Sequence, residues 1–596
     1  MLASNLLAHI VVALSVAGGA FGAVTPRAGV HKTAPAIAPE WRELGQANHG
    51  NDYTLTFSLH PANQDGLTAR MQQIAATGGE WLTADEVASY VAPKAEDLAS
   101  LQTFLKSQGI QDNAISYSPA KDTVTVKTTV GKAAAMFAAD LLSFSLSGSD
   151  PVARAKSLII PAEIASAVLD VAPLLNFGRI IKTPSKVALS PAERNATLVT
   201  RQTTGCSTSL VTPTCLRNLY QTSSYTPSSS TEGVTVMGYI DQYASQADLT
   251  QFLNSVSVGR FELSLTVLLG FADRAVSVMQ YRPDAASATL NIQTTAGATN
   301  NQNRPGDEAN LDVQTVVSQT YPLKTTFLGY GTSTTSGDIF SKTFQYFLSQ
   351  TTKPGVISIS YGSDEAGFTK SAATSMCNYA QQLTAQGTTI VVSSGDYGVS
   401  GQSGDTCPPF VPTYPSGCPY ILSVGATQNF GPEVAVDTSL AGFWSGAGFS
   451  NVFSTPSYQS SAVSAYESKI SSTSASTGNY FNKNGRAFPD VSAQGSLYAV
   501  VVGGTTYKIG GTSASAPTMA SVLALVNDAR KAVGKGRIGW IHPTIYGNTA
   551  GFTDLTGGAS KGCGSTSLGL LATAGYDAVT GLGTPLFSGL RSVFGA

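Results

Sequence analysis

Residues 356–396 read VISISYGSDEAGFTKSAATSMCNYAQQLTAQGTTIVVSSGD. Two short apolar runs, VISISYG and TTIVVSSGD, flank a segment around 370–386 with helical periodicity. A strand, a helix and a second strand in that order make a crossover unit with parallel strands. The alternation continues on both sides, through GVTVMGYID, a helix around 307–320, TTFLGYG, TFQYFLSQ and YILSVGAT. This predicts an α/β fold with a mostly parallel sheet covered by helices on both faces. In such sheets, sites form at the carboxyl ends of strands, which is where Asp396 stands in SSGDYG.

Composition narrows the function classes. The 596 residues carry a formal charge of −2, so nothing favours nucleic acid or a membrane surface as partner. Charged residues make up 12%, against roughly 25% in ordinary proteins, which leaves little charge repulsion to build up in acid. The start, MLASNLLAHIVVALSVAGGAFGA, reads as a signal peptide over 1–23, cut between Ala17 and Ala23, and predicts a secreted, extracellular protein. No later segment is long and apolar enough to span a bilayer. Six cysteines and no CxxC pair fit disulfides in an exported chain, and spacing singles out Cys206 with Cys215, which close a short loop.

The chain changes character near residue 200. Residues 24–180 hold charged helix patterns such as LTADEVASYVAPKAEDLASLQTFLKSQGI, interleaved with strand candidates YTLTFSL and TVTVKTTV, a unit of domain size. Residues 181–204 lack periodicity and read as an exposed linker, open to proteolysis. Asn195 there heads the sequon Asn-Ala-Thr, a glycosylation acceptor. Residues 205–596 form the larger domain.

Within it, Gly511–Arg530, GTSASAPTMASVLALVNDAR, reads as a glycine turn presenting Ser513 at the start of an amphipathic helix, with Pro517 in its first turn. A serine nucleophile needs a base. Four of the five histidines lie before residue 61, and the fifth, His542 in WIHPTIYG, reads as a loop residue. Glu308 and Asp312 in GDEANLDVQTVV are spaced i,i+4, so they share one helix face roughly 6 Å apart. At about pH 4 a histidine is roughly 99% protonated, whereas a glutamate is still about one third ionised. A carboxylate base therefore suits a serine enzyme working in acid. Glu308 would take the Ser513 proton, Asp312 would hold and tune Glu308, and a protonated Asp396 would donate to the oxyanion.

At these residues the chain resembles the sedolisin family of serine-carboxyl peptidases, of the secreted fungal tripeptidyl-peptidase type. The nucleophile motif stands as Gly510-Gly511-Thr512-Ser513-Ala514-Ser515-Ala516-Pro517, the acidic pair as Glu308 and Asp312, and the oxyanion turn as Ser394-Gly395-Asp396-Tyr397-Gly398. Arg486-Ala-Phe-Pro-Asp490 matches a structural landmark. The resemblance implies a subtilisin-like catalytic domain preceded by a ferredoxin-like α+β prodomain, which blocks the site until it removes itself in acid. It places the activation cut between Asn195 and Gly205. It also implies one Ca2+ per subunit in a carboxy-terminal calcium loop, held by the Asp554 and Asp577 carboxylates and the carbonyls of Leu555, Thr573 and Gly575. Further implications are disulfides Cys377 to Cys418 and Cys407 to Cys563, and a substrate strand at Ser360, Tyr361 and Gly362. The expected protein is a monomer that releases tripeptides from the free amino terminus of polypeptides, with its own prodomain as inhibitor. The alternatives are an acid endopeptidase of the same family and an inactive secreted binding protein.

Overall fold

The computed structural model describes residues 29–180, 185–188, 206–228, 232–260, 276–331, 339–402 and 407–596. The signal segment, the sequon at Asn195 and the expected activation cut lie outside the described residues.

The amino-terminal unit is built on strands β1 (Asp52–Leu59), β2 (Ile115–Tyr117), β3 (Thr123–Thr129) and β4 (Val168–Ala172). They form an antiparallel sheet in the order β2-β3-β1-β4. Helices α1 (Gln64–Thr77), α2 (Ala84–Val91) and α3 (Ala95–Ser107) connect β1 to β2, and α4 (Val130–Met136) follows β3. This is the ferredoxin-like βαββαβ order expected from the resemblance. Its core follows the strand pleat: Leu55, Phe57 and Leu59 of β1 and Val124 and Val126 of β3 are buried against Leu101, Phe104 and Leu105 of α3. The helices start where local chemistry dictates. Thr83 and Glu86 form a reciprocal capping box on α2, and Asn63 caps α1. The linker is not wholly irregular: Ser185–Ala188 forms strand β5.

The larger unit carries strands β6 (Glu232–Gly238), β7 (Asn291–Thr295), β8 (Lys324–Tyr330), β9 (Val356–Ile359), β10 (Thr389–Ser393), β11 (Leu422–Gln428) and β12 (Val491–Gln494). They run parallel in the order β7-β8-β6-β9-β10-β11-β12. Helices α5 (Asp307–Thr320), α6 (Ile339–Ser349) and α7 (Lys370–Ala385) are among the crossovers. Strand β13 (Thr505–Gly510) then leads into α8 (Thr512–Ala532). Strands sandwiched between helix layers bury alternate residues in different cores. Ile390 and Val392 of β10 pack with α6 and α7, whereas Val391 joins the core around α8. This is the subtilisin-like arrangement, helices on both faces of a parallel sheet.

One expectation is corrected here. Helix α8 is not amphipathic, because every residue from Thr512 to Arg530 is buried. Its polar residues find partners inside the protein: Ser521 donates to the Pro517 carbonyl at 2.7 Å, Asn527 accepts the Ile538 amide at 2.9 Å, and Asp528 Oδ2 accepts the Tyr225 hydroxyl at 2.7 Å. The three expected disulfides form, Cys206–Cys215, Cys377–Cys418 and Cys407–Cys563, the last closing 156 residues of chain.

The amino-terminal unit docks on α7. The Tyr379 hydroxyl lies 2.8 Å from both Ser58 and Thr123 hydroxyls, and Gln382 donates to Asp122 at 2.7 Å. Strand β5 pairs antiparallel with β13, and Lys186 there meets Asp307 at 2.7 Å and lies 4.0 Å from the Tyr507 ring centroid.

Candidate active site

Ser513 is the second residue of α8, displayed by a turn that only glycine permits. Gly511 has φ +155° and ψ 162°, a region closed to side-chain-bearing residues, and a Cβ there would meet Asp396 Oδ2 at 2.9 Å. Pro517 is the sixth residue of the helix, in its second turn rather than the expected first. That position has a consequence at the nucleophile. Lacking an N–H, Pro517 leaves the Ser513 carbonyl without its helical donor. Ser360 Oγ supplies one at 3.3 Å.

Ser360 stands at the end of β9, where the sheet places site residues. Its Oγ is also 2.9 Å from Asp312 Oδ1, so its single proton is shared between that carboxyl and the Ser513 carbonyl, and its own carbonyl lies 3.5 Å from Ser513 Oγ. One residue thus joins the acidic helix to the serine helix. Glu308 and Asp312 are completely buried. The Glu308 amide, at the open start of α5, donates to Gln242 Oε1 at 3.0 Å. The opposite side of α5 is clamped by Asn310, which donates to Asp248 at 2.8 Å and to the Val501 carbonyl at 3.0 Å. Burial first, and then the neighbouring Glu308 charge, push the Asp312 carboxyl well above the usual carboxylate range, against the pull of the Ser360 hydroxyl. Two acids in one dry site therefore tend to share a proton.

Asp396 lies in the turn after β10. Its Oδ1 accepts the Thr512 amide at 2.8 Å and the Thr512 hydroxyl at 2.7 Å, which leaves Oδ2 beside Gly511. Burial pushes its carboxyl up to about 6, with the two Thr512 bonds pulling the other way. In acid it is a neutral hydrogen-bond donor next to the serine.

The Tyr361 side chain turns inward. Its ring is buried, edge-on to Tyr239 at 4.9 Å. Burial and the charges of Glu308 and Asp312 push that phenol well above its usual range. Its side chain belongs to the interior behind the acids, so only the backbone of Ser360–Gly362 can meet a substrate. Sequence reasoning also missed Thr512, Gln242 and the bridging role of Ser360. Only Thr512, inside the serine motif, carried a signal.

His542 is corrected from loop to helix, since it opens a short helix His542–Gly547 with proline in its first turn. Its Nε2 lies 3.4 Å from Asp490 and 3.1 Å from the Ile421 carbonyl. Asp490 in turn meets Arg486 at 2.5 Å, both fully buried. Burial alone would raise the Asp490 carboxyl, but Arg486 and then His542 outweigh it and hold it at about 2. The histidine is thereby committed to a structural ion-pair cluster.

At the carboxy terminus, Asp554 Oδ2 accepts the Gly575 amide at 2.7 Å and Asp577 Oδ2 accepts the Thr573 amide at 3.0 Å. Both carboxylates thus converge on one loop whose carbonyls are Thr573, Ala574 and Gly575. The Ala574 carbonyl is taken by Lys469 Nζ. Asp577 is fully buried among amide and hydroxyl donors of Thr573, Val579 and Thr580, and burial pushes it up to about 7. Among the described residues no group of three or more His, Cys, Asp or Glu side chains forms a metal cluster. Two acids with loop carbonyls are an all-oxygen donor set, which fits a hard cation.

Known proteins resemble this chain along most of its length. Residues 39–177 match the activation domain of pro-kumamolisin, and residues 293–541 match the subtilase family. Tripeptidyl-peptidase sed4 of Aspergillus fumigatus is 32% identical, the alignment covering 95% of this chain and 96% of that protein. Tripeptidyl-peptidase SED2 of Arthroderma otae is 31% identical over 93% of this chain and 94% of its own length. Among solved structures, the sedolisin of Pseudomonas is similar with a TM-score of 0.48 and 21% identity, covering 65% of this chain and 98% of that one. The chain belongs to the sedolisin family of serine-carboxyl peptidases, in the fungal tripeptidyl-peptidase branch that carries an amino-terminal activation domain.

Proposed function

We propose that the protein is a secreted acid peptidase that removes tripeptides from the free amino terminus of polypeptides, made as a precursor spanning prodomain 24–180, linker 181–204 and peptidase domain 205–596. Ser513 attacks the peptide carbonyl, and its proton passes to Glu308 as the oxygen–carbon bond forms. The carbonyl electron pair becomes an oxyanion facing protonated Asp396, a donor worth about 3 kcal/mol. Glu308 then returns the proton to the leaving amine as the peptide bond breaks, and water repeats the sequence on the acyl-enzyme. Asp312, held by Ser360, positions Glu308 and shares its proton. The observation that carries this reading is the bridge through Ser360 between a buried acidic pair and the serine helix, in a chain whose only histidine past residue 60 is bound to Asp490.

Ca2+ is the cation that the loop of Asp554 and Asp577 suits, with carbonyls of Leu555, Thr573 and Gly575 as further ligands. Bound there, it would tie the carboxy-terminal loop together and neutralise Asp577. Asn195 is the expected glycosylation site.

Digestion of one long unblocked peptide in acid tests the reading. Successive amino-terminal tripeptides are the expected products. Internal fragments would instead indicate the endopeptidase alternative, and no cleavage an inactive binding protein.

A further inference from the structure

Beyond Gly362 the chain stays extended, and Ser363 and Asp364 pair antiparallel with Tyr414 and Thr413. Asp364 Oδ1 accepts the Gln402 amide at 2.5 Å, while Oδ2 faces Arg179 Nη2 at 3.6 Å. Arg179 comes from the end of the amino-terminal unit. Its amide donates to Ser363 Oγ at 3.2 Å, and the Phe177 amide donates to the Gly367 carbonyl at 3.2 Å, so this segment lies alongside 363–367. The guanidinium's other acid, Glu40, belongs to the same unit. Removal of that unit takes away Arg179 and Glu40 together. Asp364 then keeps one oxygen fixed by Gln402 and the other facing vacated space, without the cation it had.

The distance from the nucleophile suits a particular group. Ser513 Oγ sits at the Ser360 carbonyl, so the scissile carbonyl lies opposite Ser360. A substrate laid antiparallel on this strand advances about 3.3 Å per residue. Three residues from the scissile bond reach about 10 Å, alongside Gly362 to Asp364.

We infer that Asp364 receives the protonated α-amino group of the substrate in the mature enzyme, and that the Arg179 guanidinium occupies this subsite in the precursor. This rests on the tripeptidyl-peptidase reading above. An ammonium against a half-sealed carboxylate makes a charge-assisted hydrogen bond. An acetylated amine or an internal peptide bond brings no charge there and leaves the acid unpaired, which discriminates by more than the lost bond alone. Burial pushes the Asp364 carboxyl up, while the Gln402 amide and Arg179 pull it down, so a cation helps to keep it ionised in acid.

The test uses the self-matured enzyme and the anilide of Ala-Ala-Phe, with a free and with an acetylated amine. The wild type is expected to prefer the free amine by about 100-fold in kcat/KM. Asp364→Asn should cut that preference at least about tenfold, chiefly through KM, and leave the acetylated substrate within about twofold. Equal loss on both substrates, or an intact preference, overturns the assignment of Asp364. A wild type that hydrolyses both alike sinks the tripeptidyl reading itself, and the assignment with it. Should Asp364→Asn not mature, Asp364→Glu, which displaces the carboxylate, should lose part of the preference on the same pair, and an unchanged preference overturns the assignment.

Discussion

Thr512, the residue before the nucleophile, holds Asp396 by two hydrogen bonds to one oxygen, at 2.8 Å from its amide and 2.7 Å from its hydroxyl. The other oxygen is left to act as donor, and only when it carries a proton. With the carboxyl pushed up to about 6, kcat should be high below that pH and fall as pH rises through it. Asp396→Asn, which keeps a donor at every pH, should remove that limb of the profile. Asp396→Ala should lower kcat by about 100-fold to 1,000-fold. The pH dependence of kcat for the three forms checks both expectations.

Acid stability follows from the same kind of site. Glu365 is buried among Ser450 and Asn451, donors without charge, and burial pushes its carboxyl from 4.5 to about 7. Glu433, sealed by the hydroxyls of Tyr220, Thr427 and Thr584, is pushed in the same direction. A raised folded-state value means that the group's contribution is fully present below its unfolded value and disappears as pH rises through the folded one. Stability should therefore decline between about pH 4.5 and pH 7, with Glu365 alone contributing about 3 kcal/mol of the change. Calorimetric Tm across this range should drop by several degrees, and Glu365→Gln should flatten the drop.

The cluster of Arg486, Asp490 and His542 should matter for folding and not for chemistry. Asp490→Ala strands a buried guanidinium and should cost about 3–5 kcal/mol. His542→Ala should lower Tm, yet leave kcat/KM of the folded enzyme within about threefold. A Ser-His mechanism would instead lose activity by several orders of magnitude in that variant.

Calcium removal offers an independent check on the carboxy-terminal loop. A chelator should lower the Tm of the wild type by several degrees. Asp577→Ala should show the lower Tm with or without the chelator. A wild-type Tm indifferent to the chelator would contradict the loop's role.

What could be read from sequence followed from residues whose local chemistry is distinctive. Gly511 before Ser513, the i,i+4 spacing of Glu308 and Asp312, and Asp396 at a strand end are each constrained by short-range geometry, so their places in the fold were visible. Helix α8 was misjudged because Ser521, Asn527 and Asp528 look like a polar face, although each is buried and hydrogen-bonds inside the protein. The inward turn of the Tyr361 side chain was not legible, because which way a side chain points at a strand end is set by partners such as Tyr239, more than 100 residues away. Glu365, Glu433 and Asp364 gave no signal because their burial depends wholly on tertiary partners.

In the proposed mechanism Glu308 serves Ser513 as base. Incubating the full-length precursor in acid tests it most directly, with wild type, Ser513→Ala and Glu308→Gln followed by the loss of the amino-terminal unit and by kcat/KM on a free-amine tripeptide anilide. The wild type should mature, Ser513→Ala should stay full length, and Glu308→Gln should mature at least about 100-fold more slowly with a matching loss of activity. A Glu308→Gln precursor that matures and hydrolyses at the wild-type rate would contradict that mechanism.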